Sequence, residues 1–131
     1  MDIILKKRAV LWIGVCAYCV LIFIGSSIPG KGVDTGPPGV DKLLHLIEYL
    51  ILSFLLFAAM REEFPHAPAG RIFIFSIVLS SLYGLTDEIH QLFVTLRDCD
   101  VFDMIMDGIG SILGAFWAMR KYATQASIVN K

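Results

Sequence analysis

Four apolar stretches, each long enough to cross a lipid bilayer, constrain this chain more than any other feature of its sequence. They cover about residues 9–28, 41–60, 72–94 and 101–119. An α-helix rises about 1.5 Å per residue, so roughly 20 residues match the hydrocarbon core of a membrane, which is ~30 Å thick. The sequence therefore predicts an all-α fold, in which a single domain over residues 1–131 forms a bundle of four transmembrane helices.

The composition agrees with this prediction and excludes other classes of protein. Hydrophobic residues make up 56% of the chain and charged residues 18%, which is too apolar for an ordinary soluble domain. The net charge of −1 provides no basic surface for nucleic acid. Cys16 and Cys19 form a C-x-x-C inside the first stretch. A redox or zinc site needs a water-accessible helix start or a second ligand pair, so we expect ordinary thiols in an apolar setting.

Lysine and arginine residues near the ends of the stretches predict the orientation. Eight fall on the side of the two termini: Lys6, Lys7, Arg8, Arg61, Arg71, Arg120, Lys121 and Lys131. Three fall on the other side: Lys31, Lys42 and Arg97. The positive-inside rule then places both termini in the cytoplasm. We interpret the first stretch as an uncleaved span, because no small-residue cleavage site follows it, and we expect the polar tail after residue 120 to fray.

Polar side chains inside three of the four stretches fall on one face of each predicted helix, because residues spaced three or four apart share a helical face. The second stretch carries Asp41, His45 and Glu48, flanked by Lys42 and Tyr49. The third carries Tyr83, Asp87, His90 and Gln91, with Glu88 about 100° around the helix. The fourth carries Asp103, Asp107, Gly110 and Gly114. Lipid cannot satisfy such groups, so we expect these faces to turn toward one another.

The depths of these residues agree as well. Counted from the outer ends of their stretches, Glu48, Asp87 and Asp107 each lie roughly 9 to 10 Å into the membrane. The sequence therefore predicts one shared polar pocket that opens outward. A structural alternative stays open, in which the same residues form a buried hydrogen-bond network that holds the helices together.

Several of these residues have a second interpretation. Asp41 stands at a helix start, where an aspartate can act as the N-cap. Gly110 and Gly114 form a G-x-x-x-G, which favours close helix packing over ligand contact. Lys42 and Arg97 can extend to the lipid headgroups, and Arg97 also suits phosphate, which a guanidinium binds through two hydrogen bonds.

Three motifs follow one another between residues 41 and 110. They are D-K-x-x-H-x-x-E-Y at 41–49, Y-x-x-x-D-E-x-H-Q-x-F-x-x-x-R at 83–97 and D-x-x-x-[ND]-x-x-G at 103–110. In this order and at these gaps, they resemble the VanZ-like family of small bacterial membrane proteins. The resemblance extends over residues 41–114, whereas the first stretch shares only its position and hydrophobicity with that family.

The chain departs from the family pattern at two places. Asp107 stands where the family usually has asparagine, which adds a carboxylate to the predicted pocket. Thr95 and Leu96 replace a Pro-Gly that commonly precedes the arginine, so the turn before Arg97 is less well defined. The resemblance implies a multi-pass protein of the bacterial inner membrane, whose name-giving relative contributes to teicoplanin resistance, and it implies no established reaction.

We consider two classes of function. In the first, the pocket binds or modulates a membrane lipid, a lipid phosphate or a lipid-linked glycan of the cell envelope. An effect on glycopeptide susceptibility would follow from the role of the name-giving relative, but many relatives lie outside resistance clusters. The predicted ligand-binding residues are Asp41, Lys42, His45, Glu48, Tyr49, Tyr83, Asp87, Glu88, Gln91, Arg97, Asp103 and Asp107. A structural module and a transporter are lesser alternatives. Four spans without an inverted repeat leave little room for the alternating access that a transporter needs.

In the second class, the protein is an enzyme that acts on a lipid of the outer leaflet. The candidates for general acid and base are His45, Glu48, Asp87 and Glu88, because neighbouring carboxylates at low dielectric separate their proton affinities. A variant of this hypothesis places a divalent metal among His45, Asp87, Glu88 and Asp103, since histidine and carboxylate ligands suit such ions. The sequence contains no strict metal motif, and it specifies neither the cofactor nor the oligomeric state.

Overall fold

The computed structural model describes residues 2–30 and 39–129, which form four α-helices and no strand. These helices are α1 (Asp2–Ser26), α2 (Val40–Glu63), α3 (Ala69–Gln91) and α4 (Val101–Val129). All four are long and apolar enough to cross a membrane, which confirms the predicted all-α four-helix architecture. Most of the predicted linker between the first two spans, with Lys31, lies outside the described residues, as does Lys131.

Successive helices run in opposite directions. At one end, which we call the site end, α1 and α3 finish while α2 and α4 begin, and Ser27 Oγ lies 3.0 Å from His90 Nε2. At the opposite end, Lys7 Nζ donates to Glu62 at 2.7 Å. Helix α2 is central, because it packs against the other helices more extensively than any of them does, and most extensively against α4. Helix α1 lies at the side of the bundle and contacts α2 and, at few points, α3.

The surface and the interior of the bundle differ as a membrane environment requires. Large apolar side chains are exposed on all four helices, among them Val20, Ile51, Phe75 and Phe116, and lipid can cover them. The interior holds the larger apolar side chains of Tyr49, Leu52, Phe57 and Ile72. Small serines are buried between the helices, at positions Ser53, Ser76, Ser80 and Ser111.

The close packing predicted for the two glycines of α4 is confirmed. A Cβ added at Gly110 would collide with the carbonyl oxygen of Leu46 in α2, and one at Gly114 would collide with that of Leu50. Both obstacles are backbone atoms, which cannot rotate away. The glycines therefore allow α4 to approach α2 more closely than any other residue would permit.

The helix ends differ from the sequence predictions. Helix α1 begins at Asp2 rather than near residue 9, and its basic first turns are held by ion pairs from Lys7 and Arg8 to α2. Helix α4 continues to Val129, where we had expected a frayed tail, because arginine, lysine, alanine and glutamine are good helix formers. Gly39, with φ 85°, is the N-cap of α2, so the interpretation of Asp41 as the N-cap was wrong.

Candidate functional site

Lys42 connects three carboxylates at the site end. Its ammonium group donates to Asp41 at 3.0 Å, to Asp100 at 2.5 Å and to Asp103 at 2.8 Å. An ammonium has three N–H donors, so these three carboxylates account for all of them. Lys42 therefore joins the start of α2 to the start of α4 and to the loop before it, and it has no donor left for a phosphate.

Asp100 is a residue of this site that the sequence analysis missed. Its Oδ1 accepts the amide of Phe102 at 2.8 Å, as an N-cap of α4 does, and its own amide donates to Glu88 Oε2 at 2.9 Å. Its pKa lies below the ordinary value because Lys42, and then the Phe102 amide, donate hydrogen bonds to the carboxylate. An aspartate directly before an apolar helix is typical of an N-cap, and this pattern in the sequence would have identified Asp100.

A second group of residues lies deeper, and we call His45, Glu88, Asp103 and Asp107 the inner cluster. His45 Nδ1 lies 3.0 Å from Asp107 Oδ1. On the other side of the ring, His45 Nε2 lies 3.8 Å from Glu88 Oε1 and 3.9 Å from Asp103 Oδ2. All four residues are buried, and Glu88 has no exposed surface. Three different helices thus bring ionisable side chains together, as the spacing of the motifs predicts.

The inner cluster leaves carboxylate oxygens without partners. Among residues 2–30 and 39–129, neither Glu88 Oε1 nor Asp107 Oδ2 has a hydrogen-bond partner, although both atoms are buried. His45, Glu88 and Asp107 each offer a metal-ligating atom, and these atoms lie within 4.8 Å of one another. At an effective dielectric constant of ~20, two such carboxylates repel each other by about 3 to 4 kcal/mol. The arrangement therefore requires a shared proton or a cation.

A cavity of about 240 Å³ opens beside the inner cluster at the site end. It is lined by Gly25, Ser26, Asp41, Leu44, His45, Glu48, Asp87, Gln91 and Arg97. Gln91 Nε2 donates to Asp87 Oδ2 at 3.1 Å, whereas Asp87 Oδ1 is buried and has no partner among the described residues. The first helix supplies one wall through Gly25 and Ser26, which the sequence analysis missed because they belong to no motif.

The predicted single pocket is thus two adjoining sites that share His45. Six predicted ligand-binding residues line the cavity: Asp41, His45, Glu48, Asp87, Gln91 and Arg97. Glu88, Asp103 and Asp107 belong to the inner cluster, and Lys42 connects Asp103 to Asp41 and Asp100 nearer the surface. The metal variant of the enzyme hypothesis included Asp87, but this side chain lies in the cavity, and Asp107 contacts His45 instead.

The two predicted tyrosines support the site without lining the cavity. Tyr49 is fully buried, with its ring 6.4 Å from that of His45 and 6.5 Å from that of Tyr83. Tyr83 donates its hydroxyl to the carbonyl of Cys19 at 2.7 Å. This hydrogen bond attaches α1, and with it one wall of the cavity, to α3.

Arg97 reaches the cavity from the loop between α3 and α4. The preceding residue, Leu96, has φ 60°, in the left-handed region that favours glycine. Gly30 packs against this turn, since its amide donates to the carbonyl of Thr95 at 3.1 Å and a Cβ there would collide with the carbonyl of Leu96. The turn thereby places Arg97 against the end of α1, where its Nε donates to the carbonyl of Ile28 at 3.2 Å.

Comparison with known proteins supports the resemblance that the motifs indicate. A family model described as VanZ/LLP1 matches residues 8–122, which include both the cavity and the inner cluster. Neither the curated proteins nor the solved structures contain a match to the chain.

Proposed function

The chain belongs to the VanZ/LLP1 family and is a multi-pass membrane protein, and from this premise we propose that its cavity binds the polar headgroup of a cell-envelope lipid. The headgroup is that of a membrane phospholipid or of a lipid-linked glycan, each of which joins a phosphate to hydroxyl or ammonium groups. In this proposal the protein resides in a bacterial inner membrane, and the positive-inside rule directs the site end outward. Binding of a lipid-linked envelope precursor there would connect the protein to glycopeptide susceptibility, to which the family's name-giving relative contributes, whereas many members of the family lie outside resistance clusters.

The observation that carries this proposal is that Arg97, at the cavity wall, has hydrogen-bond donors that the described residues do not use. Its Nε donates to a backbone carbonyl, which leaves four of the five guanidinium N–H groups. No carboxylate of the described residues lies within 4.0 Å of it, although Asp41, Glu48 and Asp87 line the same cavity. A guanidinium with free donors binds phosphate through two parallel hydrogen bonds. Arg97 is therefore suited to a phosphate at the membrane surface.

The carboxylates of the cavity narrow the chemistry of the ligand. Glu48 forms no hydrogen bond with the described residues, and Asp87 Oδ1 is buried without a partner. Both groups accept hydrogen bonds and repel a bare phosphate, so a matching headgroup carries hydroxyl or ammonium donors in addition to its phosphate. At about 240 Å³, the cavity is smaller than pockets for drug-sized ligands, roughly 300–1,000 Å³, which favours one headgroup over a glycopeptide.

Native mass spectrometry of the detergent-extracted protein tests this proposal. We expect the parent protein to retain phosphatidylglycerol or phosphatidylethanolamine in preference to a polyprenyl phosphate, which has no hydroxyl or ammonium donors. Arg97→Lys keeps the charge but removes the planar fork, so it should weaken retention at least 10-fold. Arg71→Lys is the matched control, because Arg71 is exposed at the opposite end of the bundle. If the two variants retain lipid equally, Arg97 is not a phosphate ligand.

One observation favours an alternative function, an enzyme that acts on an outer-leaflet lipid. His45 lines the cavity and pairs with Asp107 at 3.0 Å, and a histidine oriented by a carboxylate is suited to general acid–base catalysis. In this case, lipid incubated with the parent protein is converted to a product of different mass. His45→Gln should then retain bound lipid and abolish conversion, whereas unchanged lipid in the parent sample contradicts the enzyme hypothesis.

A further inference from the structure

We propose that the inner cluster binds one divalent transition-metal cation through His45, Glu88 and Asp103, and that Asp107 orients the histidine. This inference goes beyond headgroup binding. Apart from His45, these residues do not line the cavity, and the cation site is testable in the absence of any lipid.

The histidine is arranged as a metal ligand requires. Its Nδ1 lies 3.0 Å from Asp107 Oδ1, and an ionised carboxylate only accepts hydrogen bonds, so Nδ1 carries the proton. In the neutral ring, Nε2 then holds the lone pair, and it faces Glu88 and Asp103. Metal-binding histidines commonly donate their other ring N–H to a carboxylate, which sets the orientation of the ring.

The separation of His45 Nε2 from each of the two carboxylates fits a shared ion. Bonds from zinc to nitrogen and oxygen ligands are about 2.0–2.2 Å long, so two ligands of one ion lie at most roughly 4.3 Å apart. His45 Nε2 is 3.8 Å from Glu88 Oε1 and 3.9 Å from Asp103 Oδ2. A cation bound to His45 Nε2 is therefore within reach of Glu88 and of Asp103, and coordination by both carboxylates requires their side chains to turn toward it.

Glu88 provides an independent observation that points to a ligand. The residue has no exposed surface, and its Oε1 has no hydrogen-bond partner among residues 2–30 and 39–129. Its Oε2 accepts the amide of Asp100 at 2.9 Å, which holds the carboxylate with Oε1 toward His45. A buried, unpartnered carboxylate oxygen is costly, and coordination of a cation satisfies it.

The charges of the surrounding side chains favour a cation of this kind. The inner cluster contains three carboxylates, of which only Asp103 contacts Lys42 among the described residues, and this lysine is shared with Asp41 and Asp100. A divalent ion compensates the remaining negative charge. The imidazole ligand suits Zn²⁺ and the carboxylate ligands also suit Mn²⁺, whereas Ca²⁺ and Mg²⁺ are bound mainly by oxygen ligands alone.

Metal analysis of the purified, tag-free protein tests the proposal in detergent without added lipid. We expect about one Zn²⁺ or Mn²⁺ per chain after incubation with the metal salt and dialysis. Treatment with EDTA should remove the ion and lower the thermal unfolding temperature, and the same salt should restore both. A parent protein that binds neither ion would overturn the proposal and indicate that Glu88 is protonated instead.

Two matched variants locate the ion. Glu88→Gln removes a proposed ligand and should weaken metal binding at least about 10-fold. Asp87→Asn alters the neighbouring carboxylate, which lies in the cavity, and should bind metal as the parent does. Equal affinities for the two variants would show that the ion is elsewhere. Because headgroup retention depends on Arg97 and metal content on Glu88, either proposal can fail while the other stands.

Discussion

Replacement of Gly114 by alanine tests the close contact between α4 and α2. The added Cβ would lie 2.8 Å from the carbonyl carbon of Leu50 and 3.0 Å from its Cα, where ordinary contacts begin at 3.4 Å. The carbonyl oxygen of Leu50 is closer still to the added Cβ, so helices α2 and α4 must separate by more than 0.6 Å, the difference between 3.4 and 2.8 Å. Overpacking of this kind costs about 1 to 3 kcal/mol, and a gap of 0.5–1 Å already loses a quarter to a half of the dispersion energy.

Gly108→Ala is the matched control on the same helix, because a Cβ at Gly108 would meet no atom within 4 Å. Both variants gain the same helix propensity, up to about 1 kcal/mol, so their difference isolates the packing cost. We expect the free energy of unfolding of Gly114→Ala to lie about 1 to 3 kcal/mol below that of Gly108→Ala. The measurement is the fraction of protein that stays folded during titration with a denaturing detergent. Equal stabilities would refute the close approach of α4 to α2.

Three further predictions concern the loops. Leu96→Gly should stabilise the protein by up to about 1 kcal/mol. The left-handed conformation costs a non-glycine residue roughly 1–2 kcal/mol, and the larger loss of backbone entropy when a glycine folds offsets part of this gain. The lowered pKa of Asp100 implies stability that is present above pH 3.8 and lost as the pH falls further, and Asp100→Asn should reduce this acid dependence of the unfolding temperature. Cysteine labelling in intact cells should modify a cysteine at residue 36, which lies outside the described residues, and spare one at Ala67.

The controls for these predictions lie near the same positions. Leu92→Gly changes an exposed leucine with φ −58°, so it should stabilise nothing, and equal effects at both leucines would contradict the strain at Leu96. Asp98→Asn should leave the acid dependence in place, since Asp98 forms no ion pair with the described residues. Labelling needs a background without Cys99, and the reverse labelling pattern would place the site end in the cytoplasm.

The fold was largely predictable because bilayer thickness sets the length of an apolar helix. The stretches at 9–28, 41–60, 72–94 and 101–119 correspond to α1 to α4. The ends of the helices were not predictable from hydropathy. Polar residues extend a helix beyond its apolar stretch where a neighbouring helix or their own helix propensity stabilises them. The ion pair between Lys7 and Glu62 is an example, since it joins residues 55 positions apart in the chain.

The residues of the candidate site were predictable from the sequence, but their division between the cavity and the inner cluster was not. Helical spacing placed Asp87 on the polar face of α3 and Glu88 about 100° away, yet Glu88 joins the inner cluster and Asp87 lies in the cavity. The rotation of α3 about its axis decides this, and it depends on packing. Gly84 allows Asp107 to lie so close that a Cβ would be 2.6 Å from its Oδ2, and no single-helix pattern contains that contact.

The arrangement around Lys42 has a genetic consequence. Asp41, Asp100 and Asp103 all share this one cation, so loss of Asp41 or Asp100 leaves Lys42 with two partners, whereas loss of Lys42 leaves three neighbouring acids without a counter-charge. Substitutions at these four positions are therefore not additive. Lys42→Met should become more tolerable once an acid has also been removed, and a lineage that loses the lysine is expected to lose acids with it.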